Sequence, residues 1–163
     1  MNTIIPIGLG EYKVSTCPTE ILVAYGLGSC LAIGMSDPRA NVAGLVHAVL
    51  PESNGNGSNN PKFVDSGIRL LLADMMGMGA SRHRILIHLA GGASVLTIPG
   101  YTQTFNIGSR NIAAAIRCLL SERLSITSKD VGGNNGRTVR LYVCNGRMTV
   151  QSIGQPERTL FGP

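Results

Sequence analysis

Apolar residues in the first third of the chain come in short unbroken runs, without helical stepping. Ile21–Tyr25, Cys30–Met35 and Val42–Leu50 are each apolar over nearly consecutive positions, the pattern of strands buried on both faces. Gly26-Leu27-Gly28-Ser29 breaks the first run from the second, Asp37-Pro38 turns the chain before the third, and Pro51 stops it. Residues 53–60, SNGNGSNN, read as a flexible polar loop. The period then changes. Phe63, Val64, Ile68, Leu71, Leu72 and Met75 recur at steps of three and four. They predict a helix with Asn60 as N-cap, Pro61 in its first position and Gly77 or Gly79 at its end. Asp65 and Arg69 form an i,i+4 pair on its other side.

Residues 84–90 predict a strand with Ile85, Ile87 and Leu89 on one face, which leaves His88 on the opposite face as a surface position. A long connection from Gly91-Gly92 to Asn106 precedes a second helix, capped by Ser109 and running to about Arg123, with Ile112, Ala115, Ile116, Leu119 and Leu120 as its apolar face. The remainder reads as β: residues 126–131, a Gly-rich turn, residues 138–144, a hairpin turn at Asn145-Gly146 and residues 147–153. The sum is an α/β fold, a sandwich of mostly antiparallel sheet layers flanked by two main helices. With 163 residues and no linker-like stretch, the chain reads as one domain over residues 1–163.

Composition narrows the class of function. Hydrophobic residues make up 44% of the chain and charged ones 14%, so it is globular rather than disordered. No apolar run is long enough to span a bilayer, and the first residues lack a basic segment followed by an apolar one. The expected compartment is the cytoplasm, without membrane insertion. Cys17, Cys30, Cys118 and Cys144 are widely and irregularly spaced; no CxxC pair suggests zinc, and a reducing cytosol leaves four free thiols. The net charge of +5 suits an acidic partner. The basic residues form no run and aromatics are few, so nucleic acid is not expected. No cofactor or metal is expected either: three histidines lack any carboxylate pattern around them.

Two residues carry candidate chemistry. A cysteine within an apolar run is ordinarily a small buried hydrophobe. Cys30, however, follows Gly26 and Gly28 at a break, where a sharp turn can present a thiol and leave backbone N–H groups of Gly28 and Ser29 open to an oxyanion. His47 is the lone polar residue of the run Val42–Leu50. By itself it reads as a core histidine bonded to backbone. A hairpin through Asp37-Pro38 can nevertheless bring it beside Cys30 as a general base. Activation of that kind predicts that Cys30 alkylates at a lower pH than an ordinary thiol. The segment Asp130–Arg137 (DVGGNNGR) lacks the Lys-Ser/Thr ending of a P-loop and reads as a structured turn that could help dock a substrate.

Taken in order, Gly26-Leu27-Gly28-Ser29-Cys30, Asp37-Pro38, Gly44–Pro51 (GLVHAVLP), Lys62–Asp65 (KFVD), Gly91-Gly92-Ala93, Ile107–Asn111 (IGSRN) and Asp130–Gly133 with Gly136-Arg137 resemble the chemoreceptor glutamine deamidase family, CheD. The resemblance implies an α/β sandwich similar to toxin-type deamidases. It also implies hydrolysis of glutamine side-chain amides on methyl-accepting chemotaxis receptors, with methyl-ester hydrolysis at the same sites as a second activity. Cys30 would be the nucleophile and His47 the base, with Gly28 and Ser29 supporting the oxyanion. A CheC-type phosphatase is an implied partner. The family pattern has a Thr six residues before the Cys, where this chain has Ala24; imidazole orientation then falls to the Ala24 carbonyl or to Ser29. The alternative is a non-catalytic or weakly active adaptor for receptors or a CheC-type phosphatase. The stretch Ser94–Phe105 departs from the family pattern.

Overall fold

The computed structural model describes residues 1–54, 59–94 and 106–163. Most of the connection before Asn106, and the centre of the polar loop at 53–60, lie outside them. Ten strands and two helices follow in the order β1 (Thr3–Pro6), β2 (Tyr12–Ser15), β3 (Glu20–Leu27), β4 (Leu31–Asp37), β5 (Val42–Ala48), α1 (Val64–Gly77), β6 (Leu86–Gly91), α2 (Ile107–Ser121), β7 (Ser128–Val131), β8 (Arg137–Tyr142), β9 (Met148–Ser152) and β10 (Arg158–Phe161). One sheet has the order β1-β3-β8-β9-β10 and the other β2-β5-β4-β6-β7. Among the described strands, β1 with β3 and β6 with β7 pair in parallel and the other pairs are antiparallel.

The architecture is the expected α/β sandwich, with both helices on one side. Alternation along β4 and β5 sorts two cores. Leu31, Ile33, Met35, Val46 and Ala48 pack with Ile68, Leu71, Met75, Ala115 and Leu119 of the helices. Ala32, Ala43 and Leu45 pack with Leu22, Ala24, Val139, Leu141 and Met148 of the other sheet. Strands β4, β5 and β6 are therefore buried on both faces, which is why their sequences are apolar without alternation.

Boundaries differ from expectation where backbone is used elsewhere. α1 starts at Val64, not at Asn60, because Phe63 is extended and forms a β-bridge to Leu50. The carbonyl of Lys62 meanwhile accepts from the N–H groups of Val49 and Leu50. Asn60 instead accepts from the Lys62 N–H. β3 continues through Gly26 to Leu27; Gly26, at φ +60°, sits in a bulge where the register against β8 shifts. The break between the first two apolar runs is thus Gly28–Cys30. α2 begins at Ile107 and buries Gly108, Asn111, Ala114, Ala115, Cys118 and Leu119, whereas Ile116 and Leu120 are exposed, Leu120 at 70%. The stripe is rotated toward its small residues, which let the helix lie close to the sheet. The β8–β9 hairpin forms, but its loop spans residues 143–146 rather than Asn145-Gly146 alone: β8 ends at Tyr142, the Gly146 N–H donates to Tyr142 O, and Gly146 is at φ +72°.

His88 is corrected outright. It is fully buried between the sheets, stacked on Phe161 of β10 with ring centroids 4.5 Å apart, and its Nδ1 lies 2.7 Å from Ser128 Oγ. His83 is exposed.

Candidate active site

The chain crosses from one sheet to the other through Gly28-Ser29-Cys30, between the end of β3 and the start of β4. Cys30 is consequently at the open end of the inter-sheet layer, half-buried and packed against it. His47 reaches the same place from the neighbouring strand. The β4–β5 register sets Ala32 opposite His47. Cys30 lies two residues before Ala32 and so on the same face, diagonal to His47, a separation that side chains can bridge. Ala24, fully buried on β3 opposite Val139, faces the same layer from the other sheet.

His47 is held by the N-terminal segment that links β1 to β2. Its Nδ1 lies 2.9 Å from the carbonyl oxygen of Ile7, its backbone N–H donates to Glu11 O at 3.0 Å, and its carbonyl accepts from Gly10 N–H at 2.8 Å. A carbonyl can only accept, so Nδ1 carries the proton and Nε2 is left as the basic nitrogen. That Nε2 is buried and finds no partner among the described residues. Imidazole orientation, which the sequence assigned to the Ala24 carbonyl or Ser29, is thus performed by Ile7. Sequence reading missed Ile7 because the group that acts is a main-chain oxygen.

The Cys30 loop is tied down by its carbonyls. Gly28 O accepts from Ala93 N–H at 2.8 Å, and Cys30 O accepts from Gly92 N–H at 2.8 Å. Ser29 O accepts from Asn111 Nδ2 at 2.8 Å. The amides of Gly28 and Ser29 donate to no backbone acceptor of the described residues, and that of Cys30 is turned only toward its own sulfur. A loop held by its acceptors rather than its donors is suited to receive developing negative charge on an oxygen. Gly91, at φ +109°, makes this approach possible: a Cβ there would stand 2.3 Å from Cys30 O.

Burial pushes the Cys30 thiol up, and its own backbone N–H, turned toward the sulfur, offsets this only in part. This is opposite in direction to the low-pH alkylation expected from sequence. A thiol shifted in this direction is a nucleophile only with the help of a base. Of the other cysteines, Cys17 and Cys144 are exposed and Cys118 is buried, pushed up to about 11 chiefly by desolvation. Among the described residues no group of three or more His, Cys, Asp and Glu side chains converges as a metal site would require.

The Asp130–Arg137 turn docks beside this loop. Gly132 N–H donates to Gly91 O and Ser94 N–H to Gly133 O. Arg137, 5% exposed, bonds the Asp130 carboxylate at 2.6 Å and the carbonyls of Asp130, Gly132 and Asn135. It braces the turn rather than offering a free cation.

Comparison with known proteins adds a family to this geometry. The model of the family described as CheD chemotactic sensory transduction matches residues 49–152. A protein of Caldanaerobacter subterraneus named "Probable chemoreceptor glutamine deamidase CheD" is 42% identical over 155 residues, covering 94% of this chain and 95% of its own length. Proteins of the same name from Symbiobacterium thermophilum and Thermococcus kodakarensis are each 38% identical, over 94% and 91% of this chain and 95% and 92% of their own lengths. With relatives this similar over nearly its whole length, the chain belongs to the CheD family.

Proposed function

We propose that this chain is a chemoreceptor glutamine deamidase that hydrolyses glutamine side-chain amides on methyl-accepting receptors to glutamate and ammonia, with Cys30 as nucleophile. The observation that supports the proposal is the β4–β5 register, with His47 opposite Ala32 and Cys30 two residues before it on the same face, together with an imidazole whose Nδ1 is anchored at Ile7 O and whose Nε2 has no partner among the described residues. Nε2 of His47 takes the Sγ proton as sulfur adds to the carboxamide carbon, and the C=O pair moves onto oxygen. The amides of the Gly28–Cys30 loop receive that oxyanion. His47 passes the proton to nitrogen, the C–N bond breaks and ammonia leaves a thioester on Cys30. Water, deprotonated by Nε2, then adds to the thioester; the C–S bond breaks, and the thiolate recovers the proton.

The substrate glutamine belongs on an exposed helix with acidic neighbours, toward which a chain of net charge +5 is steered. The cytoplasmic segments of the receptors supply such helices, and no helix among the described residues of this chain is long and apolar enough to cross a membrane. A CheC-type phosphatase is the second partner.

Mass spectrometry of a receptor cytoplasmic fragment incubated with the protein tests the reading. Wild type is expected to add the one-dalton change of amide to acid at discrete glutamines, and Cys30→Ala to add none. Undiminished conversion by Cys30→Ala overturns the nucleophile. Receptor binding without conversion by wild type selects the adaptor instead.

A further inference from the structure

We propose that Asn111 is a positioning residue for this reaction: it sets the direction of the Cys30 amide and couples the nucleophile loop to the strand that carries His47. The proposal rests on the Cys30–His47 reading above. Asn111 lies in the second turn of α2 and is fully buried. Its Nδ2 donates to Ser29 O at 2.8 Å and to Val49 O at 3.1 Å. Its Oδ1 is buried without a partner among the described residues. The reversed amide would set an oxygen against two carbonyl oxygens, so the orientation is determined by its surroundings. An unsatisfied buried acceptor is unfavourable, and an apolar side chain would pack this helix face without it. What the asparagine supplies is its pair of donors.

Each donor acts on a different half of the site. In a planar trans peptide the C=O and the following N–H point in opposite directions. Holding Ser29 O toward α2 therefore turns the Cys30 N–H away from the helix, and that N–H faces the Cys30 sulfur. Gly28 O and Cys30 O are held by backbone N–H groups; the Ser29 carbonyl is held by a side chain. The second bond reaches Val49, two residues beyond His47 and directly after β5. One amide nitrogen thus spans the loop of the nucleophile and the strand of the base while touching neither side chain.

The test uses Asn111→Asp, which keeps the volume and loses the paired donors, and Asn111→Ser as a second variant should the first fail to fold. Folded fraction is measured by circular dichroism, and rates are taken per folded molecule. On a receptor fragment kcat is expected to fall about 10²-fold with KM within about threefold, as for loss of an oxyanion donor. The high-pH plateau of Cys30 alkylation by iodoacetamide, a displacement that builds no oxyanion, is expected to change by less than about threefold. A receptor peptide carrying a side-chain aldehyde in place of the substrate glutamine's carboxamide, whose aldehyde carbon adds Sγ while the thiol proton moves to oxygen, is expected to bind about 10²-fold more weakly. Unchanged kcat and aldehyde affinity overturn the proposal, as does a loss matched by equal loss in alkylation, which would mark a merely structural residue. If wild type captures the aldehyde in an Asn111-dependent way but deamidates nothing, the deamidase reading fails and the role of Asn111 stands.

Discussion

His47 is positioned by atoms that no side-chain inventory contains. Ile7 O, Glu11 O and Gly10 N–H hold its ring and its main chain, so the alanine at position 24 leaves no gap in the orientation of the imidazole. Ala24→Thr, which restores the residue type of the family pattern, is therefore expected to change kcat by less than about threefold. In the fully buried inter-sheet layer the added atoms should lower stability by about 1–3 kcal/mol. Kinetics on a receptor fragment alongside thermal melting check both numbers; a tenfold rise in kcat would show that Ile7 is an inadequate substitute. The thiols offer a second check at this scale. Burial raises Cys30, while at Cys17 the Thr19 hydroxyl lowers an exposed thiol. Peptide mapping after alkylation should accordingly find Cys17 labelled at lower pH than Cys30 in the absence of substrate. The reverse order would mean that His47 already holds the Cys30 proton in the resting protein.

Elements approach one another here through glycines and alanines. The first turn of α2 lies so close to the turn after β6 that a Cβ at Gly108 would stand 2.5 Å from both Gly92 O and Ala93 O. Replacing a helical glycine by alanine ordinarily stabilises by about 1 kcal/mol. At Gly108 the sign should reverse, because the new methyl pushes α2 off the turn whose N–H groups hold Gly28 and Cys30. Gly108→Ala is expected to lower stability by about 2 kcal/mol or more and to reduce deamidation with it; a stabilised, fully active variant would refute the close approach. The same packing explains the misplaced face of α2. The face read from sequence shares Ala115 and Leu119 with the buried one, but counting large apolar residues adds Ile116 and Leu120, whereas contact adds Gly108, Ala114 and Cys118. Asn111 falls on that small-residue stripe at helical spacing, which is the one signal in the sequence that marks it out. By contrast the face of α1, with Val64, Ile68, Leu71, Leu72 and Met75 buried, was legible at once because its large residues are also its contact residues.

Across the whole molecule, two sheets share a layer that contains both histidines of the strands. His88 meets Phe161 of the opposite sheet, and burial lowers its pKa from 6.5 to about 4. The native state therefore binds this proton more weakly than the unfolded chain. The stabilisation is full above pH 6.5 and is lost progressively as pH falls to about 4, up to about 3 kcal/mol at one unit per 1.36 kcal/mol. Denaturant titrations of wild type and His88→Leu should diverge in slope across that window, with the variant lacking this component. Parallel pH profiles would show that His88 is solvated. Ser128 Oγ bonds Nδ1 of the neutral ring, a contact brought about by the parallel pairing of β6 with β7, where His88 stands opposite Ser128.

The order of apolar runs, the change of period at α1, the β8–β9 hairpin and the residue types at Cys30 and His47 were determined by sequence alone, since they depend on local periodicity, turn chemistry and an ordered set of motifs. The short strands β1, β2 and β10, at or near the sheet edges, carry too few residues for a period to show, and His88 alternates like a surface residue because nothing local announces a second sheet above it. Tertiary structure decided which atoms hold the two proposed residues: Ile7 O on Nδ1 of His47, Asn111 Nδ2 on Ser29 O, and the N–H groups of Gly92 and Ala93 on the Cys30 loop. The physical reason is common to all of these contacts. They are made by backbone groups, or by a side chain acting on backbone, between segments far apart in the chain, and every residue carries such groups; only the fold selects which of them meet.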